Sequence, residues 1–179
     1  MPMQSLKVVY LGNIISVAKE LRSMHGVELL GCIYEDKDDV NDYVALYRRH
    51  AIRSTRLIDK SCLPDALESY GSFDLGLIAN FGIILSNDLI KRAKYGFVNA
   101  HPGLLPHNKG RNPIEYTLNN KESQTGITLH QVTTQVDEGP ILATAKIDVH
   151  PESNVSTLGQ LLYNQAPSLF QGYVQRLLN

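Results

Sequence analysis

The chain is short of cysteine, of net charge, of long hydrophobic runs and of glycine at its first loop, and each shortage excludes a class of protein. Its two cysteines, Cys32 and Cys62, stand far apart. They can build neither a disulfide framework nor a zinc knuckle, and they fit a reducing compartment. Cys32 falls in the apolar run Val27–Tyr34, where a buried thiol is expected. Lys plus Arg number 17 and Asp plus Glu 18, for a formal net charge of -1 with no basic run. That leaves no electrostatic argument for binding nucleic acid or an anionic membrane. No apolar stretch approaches membrane-spanning length. The start, Met1-Pro2-Met3-Gln4-Ser5-Leu6-Lys7, has no signal-peptide core. Tyr10-Leu11-Gly12-Asn13-Ile14-Ile15-Ser16 holds one glycine where a dinucleotide-binding loop needs three, so a Rossmann-type dehydrogenase is excluded. A cytoplasmic soluble protein is the expectation.

What is present is ordinary globular material: 179 residues, 43% hydrophobic and 20% charged, enough for one domain over 1–179 with a sizeable core. Leu6–Leu11, Val27–Tyr34 and Asp74–Phe81 read as buried strands, with Ile52–Ile58 weaker and Phe97–Ala100 following. Helices are predicted at Ile15–Met24, at Asp38–His50 on the spacing of Val40, Tyr43, Val44 and Tyr47, near Leu63-Pro64, and at Leu89–Ala93 behind a Ser86 cap. This alternation argues for βαβ units, hence an α/β, Rossmann-like open and mostly parallel sheet with helices on both faces. A helix at Pro113–Leu118 and strands at Gly126–Thr133 and Ile141–Val149 come next. Val155–Leu178 is a final helix with Leu158, Leu161, Leu162, Leu169, Tyr173 and Leu177 on one stripe, kinked or broken by Pro167.

The chemistry concentrates between Phe97 and Leu142. Asn99 and His101 are two residues apart, so an extended backbone points both to one face, and Pro102 favours that backbone. An amide donor beside an imidazole can polarise a carbonyl and handle a proton. His101 also follows a strand's carboxyl end, where open α/β sheets bind ligands. Asp137 precedes Gly139-Pro140, a tight turn that fixes its carboxylate, and it could orient or charge the imidazole. The other histidines have simpler readings: His25 and His50 at helix ends, and His130 inside a strand, as well explained by a satisfied core imidazole as by a function. No metal-ligand spacing occurs, so no metal is expected. Gly-x-Ser-x-Gly is absent, which removes the serine-nucleophile elbow.

Three ordered motifs then carry a resemblance. Asn99-x-His101-x-x-Leu104-Leu105-Pro106, Thr125-Gly126-Ile127-Thr128-Leu129-His130 and Asp137-x-Gly139-Pro140-Ile141 are together similar to the formyltransferases that use 10-formyltetrahydrofolate. That family includes glycinamide ribonucleotide transformylases, methionyl-tRNA formyltransferases and sugar N-formyltransferases. Ala79-Asn80-Phe81-Gly82-Ile83-Ile84-Leu85 resembles its pterin-side loop, so the likeness covers most of the chain. By resemblance, Asn99, His101 and Asp137 are the catalytic set, acting without metal or covalent enzyme intermediate. Phe81, Gly82, Ile83, Ile84 and Leu85 with Thr133 and Val136 would hold the folate co-substrate; the bland alternative has Ile83 and Ile84 packing the sheet end.

Departures from the family pattern shape the substrate expectation. Gly103 stands where most members have Ser, which leaves activity in place and loop rigidity open. The first loop lacks the phosphate cradle expected of glycinamide ribonucleotide enzymes. No segment resembling a tRNA-contacting domain follows the last helix, so nucleic acid is not the expected partner. Lys109-Gly110-Arg111-Asn112-Pro113 resembles the sugar N-formyltransferase loop. The expected acceptor is therefore a small amine, an amino sugar on a nucleotide, met by Lys109, Arg111 and Asn112; a solvated loop explains the two cations equally well. A homodimer is left open. An idle folate- or nucleotide-binding module is the alternative of another class, and the intact catalytic set argues against it.

Overall fold

A computed structural model describes residues 5–35 and 42–179. Strands β1 (Leu6–Gly12), β2 (Val27–Glu35), β3 (Ser54–Leu57), β4 (Leu75–Ala79), β5 (Phe97–His101), β6 (Gln124–Gln131) and β7 (Ile141–Asp148) form one sheet in the order β3-β2-β1-β4-β5-β6-β7. The first five pair parallel, whereas β5–β6 and β6–β7 are antiparallel. The helices are α1 (Ile15–Ser23), α2 (Tyr43–Arg49), α3 (Leu63–Glu68), α4 (Asn87–Ile90), α5 (Pro113–Asn119), α6 (Val155–Tyr163) and α7 (Ala166–Leu178). Asp38 and Val40 of the expected second helix, and residues 1–4 of the expected lead into β1, lie outside the described residues.

Side-chain alternation along β1 explains why helices must cover both faces. Val8 and Tyr10 join a core with Val17 and Leu21 of α1, Tyr47 of α2, Leu158 and Leu162 of α6 and Phe170 of α7. Val9 and Leu11 face the other way, into a core with Leu63 and Leu67 of α3 and Leu89 of α4. Both faces of a parallel strand are thus dry, which is why the strands read as continuous apolar runs. Chain order reverses between β1 and β4, and a cleft lies next to that point, at the carboxyl ends of β4 and β5. Among the described residues no helix is long and apolar enough to cross a membrane.

At Pro167 the structure takes the break rather than the kink, and one helix boundary is revised. The predicted C-terminal helix is two helices: Pro167 sits in the first turn of α7, where a missing N–H costs nothing. Asn154 starts α6 with a capping box, its side chain accepting from Thr157 N at 3.0 Å. A stripe drawn along one continuous helix therefore misplaces Leu161, which is 48% exposed beside buried Leu158 and Leu162. The helix capped by Ser86 is also shorter than predicted, ending at Ile90.

Candidate active site

The carboxyl end of β5 delivers Asn99 and His101 to one cleft of about 430 Å³. Antiparallel pairing with β6 sets His130 opposite Asn99 and Thr128 opposite His101. The connection from β6 to β7 then folds back so that Asp137 lies between the two imidazoles. Its Oδ2 is 3.5 Å from His101 Nδ1, its Oδ1 is 3.4 Å from His130 Nε2, and its side chain is 8% exposed. Asp137 adopts φ 55, a left-handed conformation that costs a non-glycine residue on the order of 1 kcal/mol or more. Behind it, Gly139 packs on the Gln131 carbonyl so closely that a Cβ would collide with that oxygen. The turn seen in the sequence is what aims the carboxylate.

A second loop closes over the same carboxylate. Gly110 N donates to Asp137 Oδ2 at 2.9 Å, and Lys109 Nζ pairs with Glu138 Oε1 at 2.8 Å. His130 Nδ1 lies 3.1 Å from the Gln131 carbonyl and can only donate to it, so in the neutral ring Nε2 accepts from Asn99 Nδ2 at 3.2 Å. The second N–H of Asn99 remains for the cleft. His101 Nε2 likewise donates to the Asn108 carbonyl at 2.5 Å. Burial pushes His101 below the usual imidazole range, opposed by the Asp137 charge and the Asn108 carbonyl and reinforced by His130. Asp137 is raised by burial but ends below the usual carboxylate range, held there by His130, whose Nε2 donates to it when that ring is charged, by the His101 charge and by the Gly110 N–H. An ionised carboxylate thus stands beside an imidazole that is reluctant to charge until negative charge arrives.

Phe81, Gly82, Ile83, Ile84 and Leu85 line the cleft, as do Thr133, Val136, Arg111 and Asn112. Lys109 does not; it is engaged by Glu138. Gly82 N–H is also engaged, by Glu35 Oε2 at 2.6 Å, and Asn13 fixes Glu35 by donating to its carbonyl at 2.6 Å. Among the described residues the main-chain groups of Ile83, Ile84 and Leu85 take no hydrogen-bond partner. His130 lines the same cleft and faces Asp137, although on sequence a core role explains it equally well. Its signal is its position opposite Asn99, which becomes readable once β5 and β6 are known to be antiparallel. Asn108 had no signal at all.

Known proteins match the chain on both sequence and fold. The family model described as formyl transferase matches residues 33–176. Methionyl-tRNA formyltransferase of Wolbachia pipientis subsp. Culex pipiens is 32% identical over 126 residues, 66% of this chain and 41% of that protein. The enzyme of the same name from Ehrlichia ruminantium (strain Gardel) is 36% identical over 91 residues, 51% of this chain and 30% of its own length. The chain thus spans well under half the length of these curated relatives. Glycinamide ribonucleotide transformylase 1 from Symbiobacterium toebii superposes with a TM-score of 0.82 at 19% identity, covering 98% of this chain and 88% of that one. Phosphoribosylglycinamide formyltransferase from Bacillus halodurans gives 0.79 at 21% identity, covering 97% and 95%. At those identities the structures speak for the fold alone, and the sequence match carries the assignment: the chain belongs to the formyl transferase family.

Proposed function

We propose that the chain transfers a formyl group from 10-formyltetrahydrofolate to a primary amine. The observation that carries this reading is Asp137 seated between His101 and His130 with the Asn99 amide beside them, at a strand end that lines a ligand-sized cleft. The residues present suit the folate. Ile83–Leu85 offer unpaired main-chain groups to a pterin's hydrogen-bonding edge, and Phe81, Ile83 and Val136 offer apolar contact. When bound, the folate supplies an activated formyl carbon on nitrogen that a neutral amine can attack.

Each protein group then has one task. Asn99 donates its cleft-facing N–H to the formyl oxygen as negative charge develops there. His101 takes up at Nδ1, through Asp137, the proton that the amine loses as that charge grows, and gives it back the same way; because burial disfavours its charged form beforehand, the stabilisation is larger in the transition state than in the ground state. Asp137 holds the imidazole's charge and accepts the proton the amine loses as the new C–N bond forms. That proton ends on the folate nitrogen as the old C–N bond breaks.

For the acceptor we favour an amino sugar carried on a nucleotide, with Arg111 on the cleft wall as its phosphate partner. A charged initiator tRNA is the second reading, favoured by the names of the curated relatives. Assaying the purified chain with the folate donor against a nucleotide-linked amino sugar, glycinamide ribonucleotide and charged initiator tRNA separates them. We expect turnover with the amino sugar, and Arg111→Ala should raise its KM several-fold while the folate KM stays put. Turnover confined to the tRNA would overturn the acceptor assignment and keep the chemistry.

A further inference from the structure

The loop that follows β5 holds a buried polar knot that the proposed mechanism does not use. Asn108 is 5% exposed, Thr117 is 0% and Thr125 is 1%. Asn108 Nδ2 donates to Thr117 Oγ1 at 3.1 Å and to Glu122 Oε2 at 3.2 Å. Thr117 Oγ1 in turn donates to the same Glu122 oxygen at 3.0 Å and lies 3.3 Å from Thr125 Oγ1. Among the described residues no buried side-chain nitrogen or oxygen lacks a partner, so the knot is fully satisfied and rigid. What it immobilises is the Asn108 main chain, whose carbonyl receives His101 Nε2 at 2.5 Å.

Gly103 is the other half of the arrangement. Its carbonyl is fixed by Thr128 Oγ1 at 2.7 Å. A Cβ at this position would stand 2.9 Å from the Asn108 oxygen and 3.0 Å from His101 Nε2. The glycine therefore leaves open the space through which carbonyl and ring meet.

We propose that Asn108 is a positioning residue whose knotted main-chain carbonyl, admitted by Gly103, keeps the proton on His101 Nε2 and so makes Nδ1, facing Asp137, the atom that gains and loses a proton. A ring nitrogen committed to a carbonyl must carry hydrogen, and that leaves the other nitrogen to titrate. Neither ring nitrogen then offers a spare N–H to the cleft. His101 acts by charge, and Asn99 is the direct hydrogen-bond donor. The link to catalysis rests on the formyl-transfer reading; the lock itself does not.

Long-range proton–nitrogen NMR on the full chain labelled with 15N-histidine reads the tautomer directly. In the wild type, neutral His101 should be the Nε2–H form. Asn108→Asp sets a carboxylate against Glu122; the Nδ1–H form should appear, and turnover should fall roughly tenfold, against the roughly hundredfold loss of a whole proton-handling group. Combining it with Glu122→Gln exchanges donor and acceptor among positions 108, 117 and 122 and should restore both tautomer and turnover. Gly103→Ala leaves the knot intact, wedges ring and carbonyl apart, and should alter the tautomer in the same direction. The proposal is overturned if His101 stays in the Nε2–H form in both Asn108→Asp and Gly103→Ala, or if the folded double variant fails to restore it. These tautomer changes in a chain that formylates no acceptor would uphold the lock and sink the formyl-transfer reading.

Discussion

Asp137 is the residue on which the site turns, because one carboxylate faces two imidazoles and a main-chain N–H. Its charge raises the proton affinity of His101 against the effect of burial, so removing that charge should lower it further. In Asp137→Asn, an NMR titration should place the His101 midpoint below that of the wild type, itself below the usual imidazole value. Turnover should drop by about a hundredfold or more, as when a proton-handling group is lost. An unmoved midpoint would mean that the carboxylate does not control this ring. Asn99, His101 and Asp137 were legible in the sequence for separable reasons: strand parity for the first two, a rigid Gly-Pro turn for the third. Neither His130 nor Asn108 could be read that way. The first needs the β5–β6 pairing, and the second acts through its main-chain carbonyl, which residue identity does not encode.

Elements set the distances that residues alone cannot. The β6–β7 connection returns Asp137 to the cleft because Gly139 lets it press against the β6 carbonyl of Gln131. Gly139→Ala forces that contact apart. We expect a stability loss of about 1–3 kcal/mol by denaturant unfolding, the usual cost of overpacking, together with a clear loss of turnover as the carboxylate moves. Wild-type stability and wild-type turnover in this variant would show that the turn does not aim Asp137. The parallel strands were readable because strands buried on both faces are apolar throughout, as at Val8–Leu11. The boundary of α4 and the split between α6 and α7 were less so, since both depend on packing and on caps formed in the folded chain. Pro167 marked the break; that Leu161 would be left exposed was not encoded locally.

Across the whole molecule, the cleft lies at the carboxyl ends of β4 and β5, next to the switch in strand order between β1 and β4, and the antiparallel pair β6–β7 extends the sheet to carry the loop that holds Asp137. That division explains why the α/β class followed from the first hundred residues while the site did not close until the last strands were placed. It also separates what family membership fixes from what it leaves to this chain. The match to the family covers the strand and loop that carry Asn99, His101 and Asp137, and around them Gly103 and Asn108 pack against the His101 ring while Arg111 lines the cleft. The central claim is that the Asn99, His101 and Asp137 cluster moves a formyl group from folate to an amine. Its most direct test is the amine-dependent release of tetrahydrofolate from 10-formyltetrahydrofolate, compared between the wild type and His101→Ala across the three acceptor classes named above. We expect release with at least one acceptor, reduced by about a hundredfold or more in the variant while the variant's folded stability is retained. Release at equal rates by both proteins, or no amine-dependent release from the wild type with any of the three, would contradict it.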